Sequence, residues 1–507
     1  MLKKLYKEYL SQFYLARLLR RCVGKTLWAI RWKMIYPTKR ALWRGARTAM
    51  GRCSMFADRV PPREKFFSKR QLSLYDSASD FVFSVLGKFL NFLVAKIVKP
   101  LARLLIPRHI RTRLRSLGSQ VILRISGRRR DLKLVALGDV AAAQESGIQV
   151  TVFPEGEVAC AVPMVFPASL RNDFPLGAES YVFPAVSLVQ LENARISGLS
   201  NLVELNGEVV HHDLYRFTHD YTSEELHGRV RIYPKRKIIR KFDSTDVLDT
   251  LDCAAVFTDA CAPNYAHWLT EVLPRIHASA QSGMDENVPF LIDSGLHANI
   301  ISSAQLLAGK HSLIEVQRGR SVNVNKLYVA GAAGYIPFDR RPVKQGGHAH
   351  GIFSPSALKS MRENLSTMLG SADADYPKKI MLRRNSGARA MKNEESLAAL
   401  LQEQGFSVVY PEKLTFSQQF HLFSGAECVV GATGAAMANL VFCQPSCRVI
   451  ICLSSHKEHS FGYWRNMASA VGNDVIYVMG PVVGERNQGI HADFVVDAGD
   501  VIAAINY

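Results

Sequence analysis

Alternating apolar and polar residues form a series of short runs between residues 133 and 245. Such period-two runs predict strands, here within 133–137, 148–153, 180–189, 202–205 and 230–233. Asn206-Gly207 separates two of these runs and is typical of a two-residue hairpin turn. This segment is therefore predicted to be rich in β-structure.

Beyond residue 250 the apolar runs alternate with longer segments of helical periodicity. The predicted strands are 254–257, 288–292, 312–316 and 326–329, and the predicted helices are 264–281, 297–308 and 355–369. Strands that alternate with helices are typical of a parallel sheet covered by helices. Polar connectors flank the third helix, so we place an interdomain hinge within 340–377.

The last third of the chain shows the strand–helix alternation most clearly. The predicted strands cover 379–382, 406–410, 428–430 and 448–452. Asn393 is predicted to cap a helix that ends at Gly405, and Thr415 forms a capping box with Gln418 at the start of the next helix. The order of these elements predicts a βαβαβ unit of Rossmann type.

Candidate phosphate-binding groups follow two strands of this unit. Gly431-Ala-Thr-Gly434 opens a helix predicted to reach Phe442, so its backbone N–H groups can approach a diphosphate. Arg383 and Arg384 end the first strand, with Arg389 nearby, and guanidinium groups bind phosphate oxygens through two parallel hydrogen bonds. The alternatives are glycines needed for packing and a solvated cluster of charge.

One predicted helix carries a candidate general base. The segment that begins at Asn264 places His267 and Glu271 four residues apart, on the same helix face. A histidine oriented by a carboxylate is suited to take a proton from an acceptor hydroxyl. A His–Glu pair with a structural role is the alternative.

The net charge of +19 is concentrated at one end of the chain. Residues 1–130 contain 31 lysines and arginines and 5 acidic residues, a net charge of +26, and the remainder carries −7. The chain is therefore a basic arm joined to a mildly acidic body. A basic arm favours an anionic partner, which here is nucleic acid, an anionic membrane surface or a polyanionic polymer.

Residues 80–106 of the arm have the pattern of an amphipathic helix. Lys88, Lys96, Lys99 and Arg103 fall within about 80° of one another on a helical wheel, opposite a wide apolar face. The lysines interrupt every apolar run long enough to span a bilayer. The pattern predicts a helix that lies on an anionic membrane surface, and a helix packed on the body or bound to nucleic acid is the less favoured alternative.

The compartment is predicted to be the cytoplasm, at the inner face of the cell membrane. The nine cysteines show no paired spacing typical of a disulfide framework or a zinc site, and several lie in apolar runs. The sequence contains no pattern of a cleaved secretory signal. We therefore expect reduced thiols and a peripheral membrane protein.

Several ordered motifs between residues 250 and 455 resemble glycosyltransferase family 61, which includes bacterial capsular-polysaccharide enzymes. The residues that carry the resemblance are Asn264-Tyr-Ala-His267-Trp-Leu-Thr-Glu271-Val-Leu-Pro274-Arg275, Ile380-Met-Leu-Arg383-Arg384, Arg389, Asn393-Glu394, Gly405-Phe406, Pro411-Glu412, Gly431-Ala-Thr-Gly434-Ala-Ala-Met-Ala-Asn439 and Phe442. Thr433 stands where the family usually has a histidine.

The resemblance implies an α/β fold of the GT-B type, with two Rossmann-like domains, an inverting mechanism and no obligatory metal or other cofactor. It places the catalytic pair at His267 and Glu271. The predicted donor-binding residues are Arg383, Arg384, Arg389, Glu412, Gly431, Thr433, Gly434, Ala435 and Asn439. The domains are expected to be a basic arm (1–132), a β-rich segment with an acceptor-binding Rossmann-like domain (133–350) and a nucleotide-sugar-binding domain (351–507).

The function that these features favour is transfer of a sugar from a nucleoside-diphosphate sugar to a saccharide or lipid-linked saccharide in surface or capsular polysaccharide synthesis. Two alternatives stay open. One is a catalytically inactive saccharide- or membrane-binding subunit of a polysaccharide assembly complex, and the other is a pyruvyl-type polysaccharide-modifying transferase. Nucleic acid is not expected to be the partner, because the basic arm accompanies no nucleic-acid-binding motif.

Overall fold

The structure, a computed structural model, describes residues 128–143, 149–227, 229–243, 247–339, 350–372, 374–383, 389–456, 459–483 and 492–507. These residues belong to one compact unit, which spans residues 82–507. The predictions for residues 1–127, including the amphipathic segment 80–106, lie outside the described residues. The same holds for Arg384 and for residues 340–349 of the predicted hinge.

Strands and helices alternate along the described chain. The strands are β1 (Arg128–Ala136), β2 (Gln149–Phe153), β3 (Gly156–Cys160), β4 (Met164–Phe166), β5 (Glu179–Phe183), β6 (Val186–Ser197), β7 (Val203–Leu205), β8 (Glu208–His211), β9 (Asp220–Tyr221), β10 (Val230–Tyr233), β11 (Ile238–Asp243), β12 (Val247–Val256), β13 (Phe290–Asp293), β14 (Leu313–Val316), β15 (Ser321–Ala330), β16 (Gly334–Tyr335), β17 (Phe338–Asp339), β18 (Ile352–Phe353), β19 (Lys379–Leu382), β20 (Ser407–Val409), β21 (Cys428–Ala432), β22 (Arg448–Ser454) and β23 (Val475–Gly480). The α-helices are α1 (Leu137–Ala143), α2 (Ser223–Leu226), α3 (Tyr265–His267), α4 (Leu273–Gln281), α5 (Ala298–Ala308), α6 (Pro355–Leu369), α7 (Glu394–Glu403), α8 (Phe416–Ser424), α9 (Gly462–Ala470) and α10 (Ala498–Asn506). Among the described residues, no helix is both long enough and apolar enough to cross a membrane.

The larger sheet joins the β-rich segment to the first strand–helix region. Its order is β10-β11-β1-β8-β7-β6-β15-β12-β13-β14, with β2 paired to β6. β12 pairs in parallel with β13 and β15, and β13 with β14, which confirms the predicted parallel arrangement. β15 pairs antiparallel with β6 along Ser321–Ala330. The predicted β-rich character of the first segment is confirmed, and both regions form one continuous mixed sheet.

The predicted hairpin between β7 and β8 is confirmed. Val203 lies opposite Val210 in an antiparallel pair. Asn206 and Gly207 adopt φ angles of 50° and 81°, so both central residues are in the left-handed region that a type I′ turn requires.

The second sheet is parallel throughout, in the order β20-β19-β21-β22-β23-β4. It confirms the predicted βαβαβ unit, and β23 and α10 extend that unit beyond what the sequence pattern indicated. β4 was also not predicted. Its residues Met164–Phe166 pair with Ile476–Val478 of β23, so a segment that the expected domain division assigns to residues 133–350 completes the later sheet. The division at residue 350 stays a prediction.

The predicted helix over 264–281 forms, but it is not a continuous α-helix. Asn264 caps α3 by accepting a hydrogen bond from the Ala266 N–H at 3.0 Å, as predicted. A π-helical turn, Trp268–Val272, separates α3 from α4. Pro274 cannot donate a backbone hydrogen bond to the Thr270 carbonyl, which interrupts the regular α-helical pattern. The Gly334 backbone packs against this carbonyl, and a Cβ at Gly334 would overlap with it.

The sequence predicted caps at the starts of α7 and α8, and only α8 has the side-chain cap in the structure. Thr415 and Gln418 form the predicted capping box of α8. Asn393 occupies the predicted N-cap position of α7, but its side chain makes no capping hydrogen bond and instead donates to the Val496 carbonyl at 2.7 Å. This contact ties α7 to the segment that precedes α10.

Candidate active site

Two depressions lie at the carboxyl ends of strands, where open α/β sheets bind ligands. The first, which we call the histidine cavity, has a volume of about 830 Å³ including its open mouth. Segments that follow β8, β12 and β15 contribute to its wall, together with α3 and the π turn. The lining residues include Asn201, His212, Tyr215, Asp259, His267, Glu271, Arg275, Tyr335 and Phe338.

His267 and Glu271 are paired inside this cavity. Nδ1 of His267 contacts Oε2 of Glu271, and the other carboxylate oxygen accepts a hydrogen bond from the Ile336 N–H at 2.8 Å. The imidazole also stacks on the Phe338 ring, with 5.9 Å between ring centroids. Because the histidine and glutamate side chains remain 14% and 17% exposed, a ligand in the cavity can reach them.

The electrostatic surroundings of His267 favour its charged form. Burial opposes the imidazolium, but the charge and hydrogen bond of Glu271 outweigh burial, with a smaller contribution from Asp259. The pKa of His267 therefore lies above its usual value. The arrangement provides an imidazole that is oriented by a carboxylate and that gains basicity from it.

Buried carboxylates behind this pair were not identified from the sequence. Asp259, just beyond β12, lines the cavity and accepts a hydrogen bond from the Asn201 amide at 2.8 Å. Burial and the charge of Glu271 raise the pKa of Asp259. Asp293, at the end of β13, accepts a hydrogen bond from the Asp259 N–H at 2.8 Å, and burial raises its pKa to about 7. An acidic residue directly after a buried apolar run was the available signal in both cases.

Arg275, at the far wall of the cavity, is a buried cation held by the backbone. Its guanidinium donates to the Ala330 and Val256 carbonyls, each at 3.2 Å. These carbonyls belong to β15 and β12, two neighbouring strands of the larger sheet. Arg275 therefore fastens α4 to the carboxyl ends of those strands.

The second depression, the arginine pocket, lies at the carboxyl edge of the second sheet. It measures about 630 Å³ including open space. Its lining residues are Leu382, Arg383, Arg389, Ala432, Gly434, Ala435, Ala436 and Met437. Four of the predicted donor-binding residues thus share one pocket, namely Arg383, Arg389, Gly434 and Ala435.

Arg389 contributes a guanidinium with one unsatisfied nitrogen among the described residues of this pocket. Its Nε is buried and finds no hydrogen-bond partner among the described residues. Burial also lowers the pKa of Arg389, because the charged form is separated from water. The backbone adopts φ = 56°, a left-handed conformation uncommon for a residue with a side chain. An anion bound here would satisfy a donor that is otherwise left unpaired.

Arg383 is already engaged with carboxylates. Its Nε donates to Glu394 at 3.2 Å, and its Nη2 lies 2.7 Å from Glu395. The guanidinium also covers the Tyr410 ring at 5.7 Å. Glu412, a further predicted donor-binding residue, is exposed on a short 3₁₀ helix and is not among the described residues that line the pocket.

The glycine turn itself differs from the prediction in two respects. Gly431 lies within β21, where a Cβ would be 3.0 Å from Leu382 Cβ and 3.1 Å from Met437 Sδ, so close packing requires glycine. The helix that follows, Ala435–Phe442, is a 3₁₀ helix. Thr433 is buried, and its hydroxyl accepts a hydrogen bond from the Trp464 indole at 3.1 Å. Its side chain packs inward, beneath the pocket.

A hydrogen bond to Asn439 joins an element beside the histidine cavity to an element beside the arginine pocket. The Tyr265 hydroxyl donates to Asn439 Oδ1 at 2.9 Å, and Asn439 Nδ2 donates to Gln419 at 2.8 Å. Tyr265 lies two residues before His267 in α3, and Asn439 lies on the 3₁₀ helix that begins at Ala435. The element that carries the candidate base is thereby held against the element that closes the arginine pocket.

The sheets and pockets define a mixed α/β protein in which a carboxylate-oriented histidine is joined to an arginine-lined pocket. Residues 265–450 match the protein-family model described as Glycosyltransferase 61, which confirms the resemblance over that region. All predicted catalytic and donor-binding residues fall inside the matched region. No curated protein matches the chain.

Proposed function

We propose that this glycosyltransferase moves a sugar from a nucleoside-diphosphate sugar to a saccharide acceptor, with inversion at the anomeric carbon and in a GT-B arrangement. The observation that carries the proposal is the fixed link between the His267–Glu271 pair and the arginine pocket, through Tyr265 and Asn439. A base for the acceptor and a cation for the leaving group are thereby held in adjoining parts of the same unit.

His267 acts as the general base on the acceptor side. Its Nδ1 is bonded to Glu271, which leaves Nε2 as the nitrogen that takes the proton of the acceptor hydroxyl. As the acceptor oxygen attacks the anomeric carbon, the developing imidazolium is stabilised by the Glu271 carboxylate. The Ile336 N–H holds this carboxylate in place.

Arg389 and the turn at Gly434 and Ala435 receive the departing nucleoside diphosphate. The guanidinium, whose Nε has no partner among the described residues, binds phosphate oxygens, and backbone N–H groups at the start of the 3₁₀ helix add partial positive charge. These charges take the role of a metal in stabilising the leaving group, in line with the metal-free expectation. Arg383 and Arg384 are assigned supporting roles next to Arg389.

The biological role is assembly of a surface or capsular polysaccharide on a lipid-linked acceptor. The concentration of positive charge in residues 1–130 supports contact with the anionic inner leaflet of the membrane. Such a position would bring the histidine cavity to acceptors that are anchored there.

A donor panel tests the proposal. Purified protein is incubated with uridine, cytidine and guanosine diphosphate sugars and with phosphoenolpyruvate, in the presence of polysaccharide or lipid-linked acceptors. We expect nucleoside diphosphate release that His267→Ala abolishes. Saccharide binding without nucleotide binding or release would contradict it and favour an inactive subunit, whereas turnover of phosphoenolpyruvate would favour pyruvyl transfer.

A further inference from the structure

Basic residues are concentrated in one short segment of the otherwise acidic body. Residues 229–241 contain seven lysines and arginines and no acidic residue. The body, residues 131–507, carries a net charge of −7 with this segment and would carry −14 without it. The segment forms the hairpin of β10 and β11, and β10 is the outermost strand of the larger sheet. Positive charge is thus placed at one side of the body.

Two of the seven basic side chains have structural partners. Arg229 donates to the Leu199 carbonyl, and Lys241 is buried in contact with Glu204. The other five are exposed or half-buried and form what we call the basic hairpin surface, namely Arg231, Lys235, Arg236, Lys237 and Arg240.

Most of the charge on the basic hairpin surface is not neutralised by carboxylates. Asp131 binds Arg240, with 2.6 Å between Oδ2 and Nη2, and the other four side chains have no ion-pair partner among the described residues. Arg231 lies directly opposite Arg240 in the strand pair, where like charges repel each other. Both guanidinium groups lie 5.3 Å from the centre of the Tyr233 ring. An anionic partner would relieve this repulsion.

The turn of the hairpin lies at the same edge of the larger sheet as the histidine cavity. The Leu134 N–H of β1 donates to the Lys237 carbonyl at 2.8 Å, so the turn over residues 234–237 is level with the carboxyl end of β1. Leu137, which directly follows β1, lines the cavity. Neighbouring strands are about 4.8 Å apart, so the basic turn is one strand away from the cavity wall.

The features of this surface suit the headgroups of an anionic membrane leaflet. Lysine and arginine attract anionic lipids, and tyrosine is enriched where membranes meet water. β1 begins at Arg128, directly after residues 1–127 of the basic arm, and pairs with β11, so the chain enters the body beside the hairpin. An anionic leaflet repels a body of net negative charge, and a local basic surface therefore determines which side can approach it.

We propose that the basic hairpin surface is a second membrane contact, which binds anionic lipid headgroups and brings the sheet edge that carries the histidine cavity to the leaflet. The inference rests on the membrane location given under the proposed function and assigns that location a site on the body itself. It does not depend on which donor sugar is transferred.

The combined substitution Arg231→Gln, Lys235→Gln and Arg236→Gln in the full chain tests the contact by vesicle sedimentation. Lys237 is left unaltered because its backbone adopts φ = 51°. We expect partitioning to phosphatidylserine vesicles to fall at least about tenfold, because each basic residue near an anionic leaflet contributes roughly fivefold to binding. The thermal unfolding midpoint should not fall. If it does, Arg236→Glu alone, in the exposed turn, should still weaken partitioning by at least about fivefold.

A second combined substitution, Lys326→Gln, Lys359→Gln and Lys378→Gln, is the matched control. It removes the same charge from exposed positions on β15, on α6 and just before β19. Partitioning of this control to the same vesicles should fall by less than about threefold, because these lysines lie outside the basic hairpin surface.

Three results would overturn the inference. One is partitioning that the hairpin substitutions leave unchanged. Another is an equal loss in the control, which would reflect net charge rather than a site. The third is retained vesicle binding with weaker binding of a polynucleotide or a soluble anionic polysaccharide, which would assign the surface to a polymer. Failure of glycosyl transfer is a separate result, because the donor panel detects it without vesicles.

Discussion

At the scale of single residues, His267 and Arg389 are both partly exposed basic side chains, but their pKa values are shifted in opposite directions. The histidine has a carboxylate partner, and its pKa is raised. The arginine has an unpaired nitrogen among the described residues, and its pKa is lowered. The carboxylate partner of His267 suits a group that exchanges a proton. The surroundings of Arg389 suit a group that binds an anionic ligand.

The pairing of His267 with Glu271 predicts a distinctive pH profile. The base works when neutral, and the carboxylate favours its charged form, so kcat/KM should rise with pH through a pKa above the usual histidine value. Glu271→Gln removes the stabilising charge and leaves burial, which favours the neutral ring. We therefore expect the inflection to move to lower pH. The alkaline plateau should fall about 10- to 100-fold, because the ring loses its orientation.

Rate measurements between pH 5 and 10, in buffers of constant ionic strength, check this profile in both proteins. Circular dichroism at each pH controls for unfolding. An inflection that moves upward or stays in place in Glu271→Gln would contradict general-base catalysis by His267.

The two described arginines of the pocket should respond differently to substitution. Arg389→Gln should weaken nucleoside diphosphate binding by roughly 10- to 100-fold, as expected for a hydrogen bond between charged groups, with little loss of stability. Arg383→Gln should chiefly remove the contacts to Glu394 and Glu395, at a cost of up to about 1 kcal/mol of folding stability.

Isothermal titration with the nucleoside diphosphate and thermal unfolding of both variants separate these effects. If Arg383→Gln loses more affinity than Arg389→Gln, Arg383 must leave its carboxylate partners when the donor binds. That result would assign the main diphosphate contact to Arg383, the strand-end arginine indicated by the family resemblance.

At the scale of elements, periodicity and caps predicted the regular parts of the fold. The Asn206-Gly207 hairpin, the parallel strands of the second sheet and the Thr415 capping box all follow from local side-chain chemistry. The π turn at Trp268–Val272 follows only in part from local chemistry. Pro274 removes a backbone hydrogen bond to the Thr270 carbonyl, but the contact of this carbonyl with Gly334 joins residues distant in the sequence.

The candidate site was likewise predictable from the sequence only in part. His267, Glu271 and Arg389 follow from residue type and motif order. Asp259 required the fold, because it reaches the site from a segment without a motif of its own. The different contacts of Arg383 and Arg389 could not be predicted either, because sequence spacing does not specify which partners such long side chains reach.

Gly431 gives a prediction about how β21 packs against its neighbours. Gly431→Ala should destabilise the protein by about 1–3 kcal/mol, since its Cβ would press on Leu382 and Met437. Urea unfolding measures the difference. Gly177→Ala is the control and should be near neutral, because an added Cβ there has nothing within 4 Å and the backbone is not left-handed. Equal stability of both variants would contradict a packing role for Gly431.

At the scale of the whole molecule, charge separates the chain into a basic arm and a mildly acidic body. Each basic residue near an anionic leaflet contributes about 1 kcal/mol of binding free energy. Replacing Lys88, Lys96, Lys99 and Arg103 with glutamine should therefore weaken partitioning to phosphatidylserine vesicles by at least about a hundredfold. Vesicle sedimentation, with neutral phosphatidylcholine vesicles as the control, measures this change.

Two results would contradict membrane-surface binding by the arm. One is partitioning that the four substitutions leave unchanged. The other is tight nucleic-acid binding with a steep dependence on salt in a filter assay, which would assign the positive charge to a polynucleotide partner.

The pairing of β4 with β23 has a consequence for protein synthesis. Met164 lies opposite Ile476, so the two strands leave the ribosome more than 300 residues apart. While the intervening chain is made, β4 has no partner strand in this sheet, and an unpaired strand edge is prone to association with other chains. Completion of the second sheet must therefore wait until β23 has been made, and until then the edge of β4 is open to association with other chains.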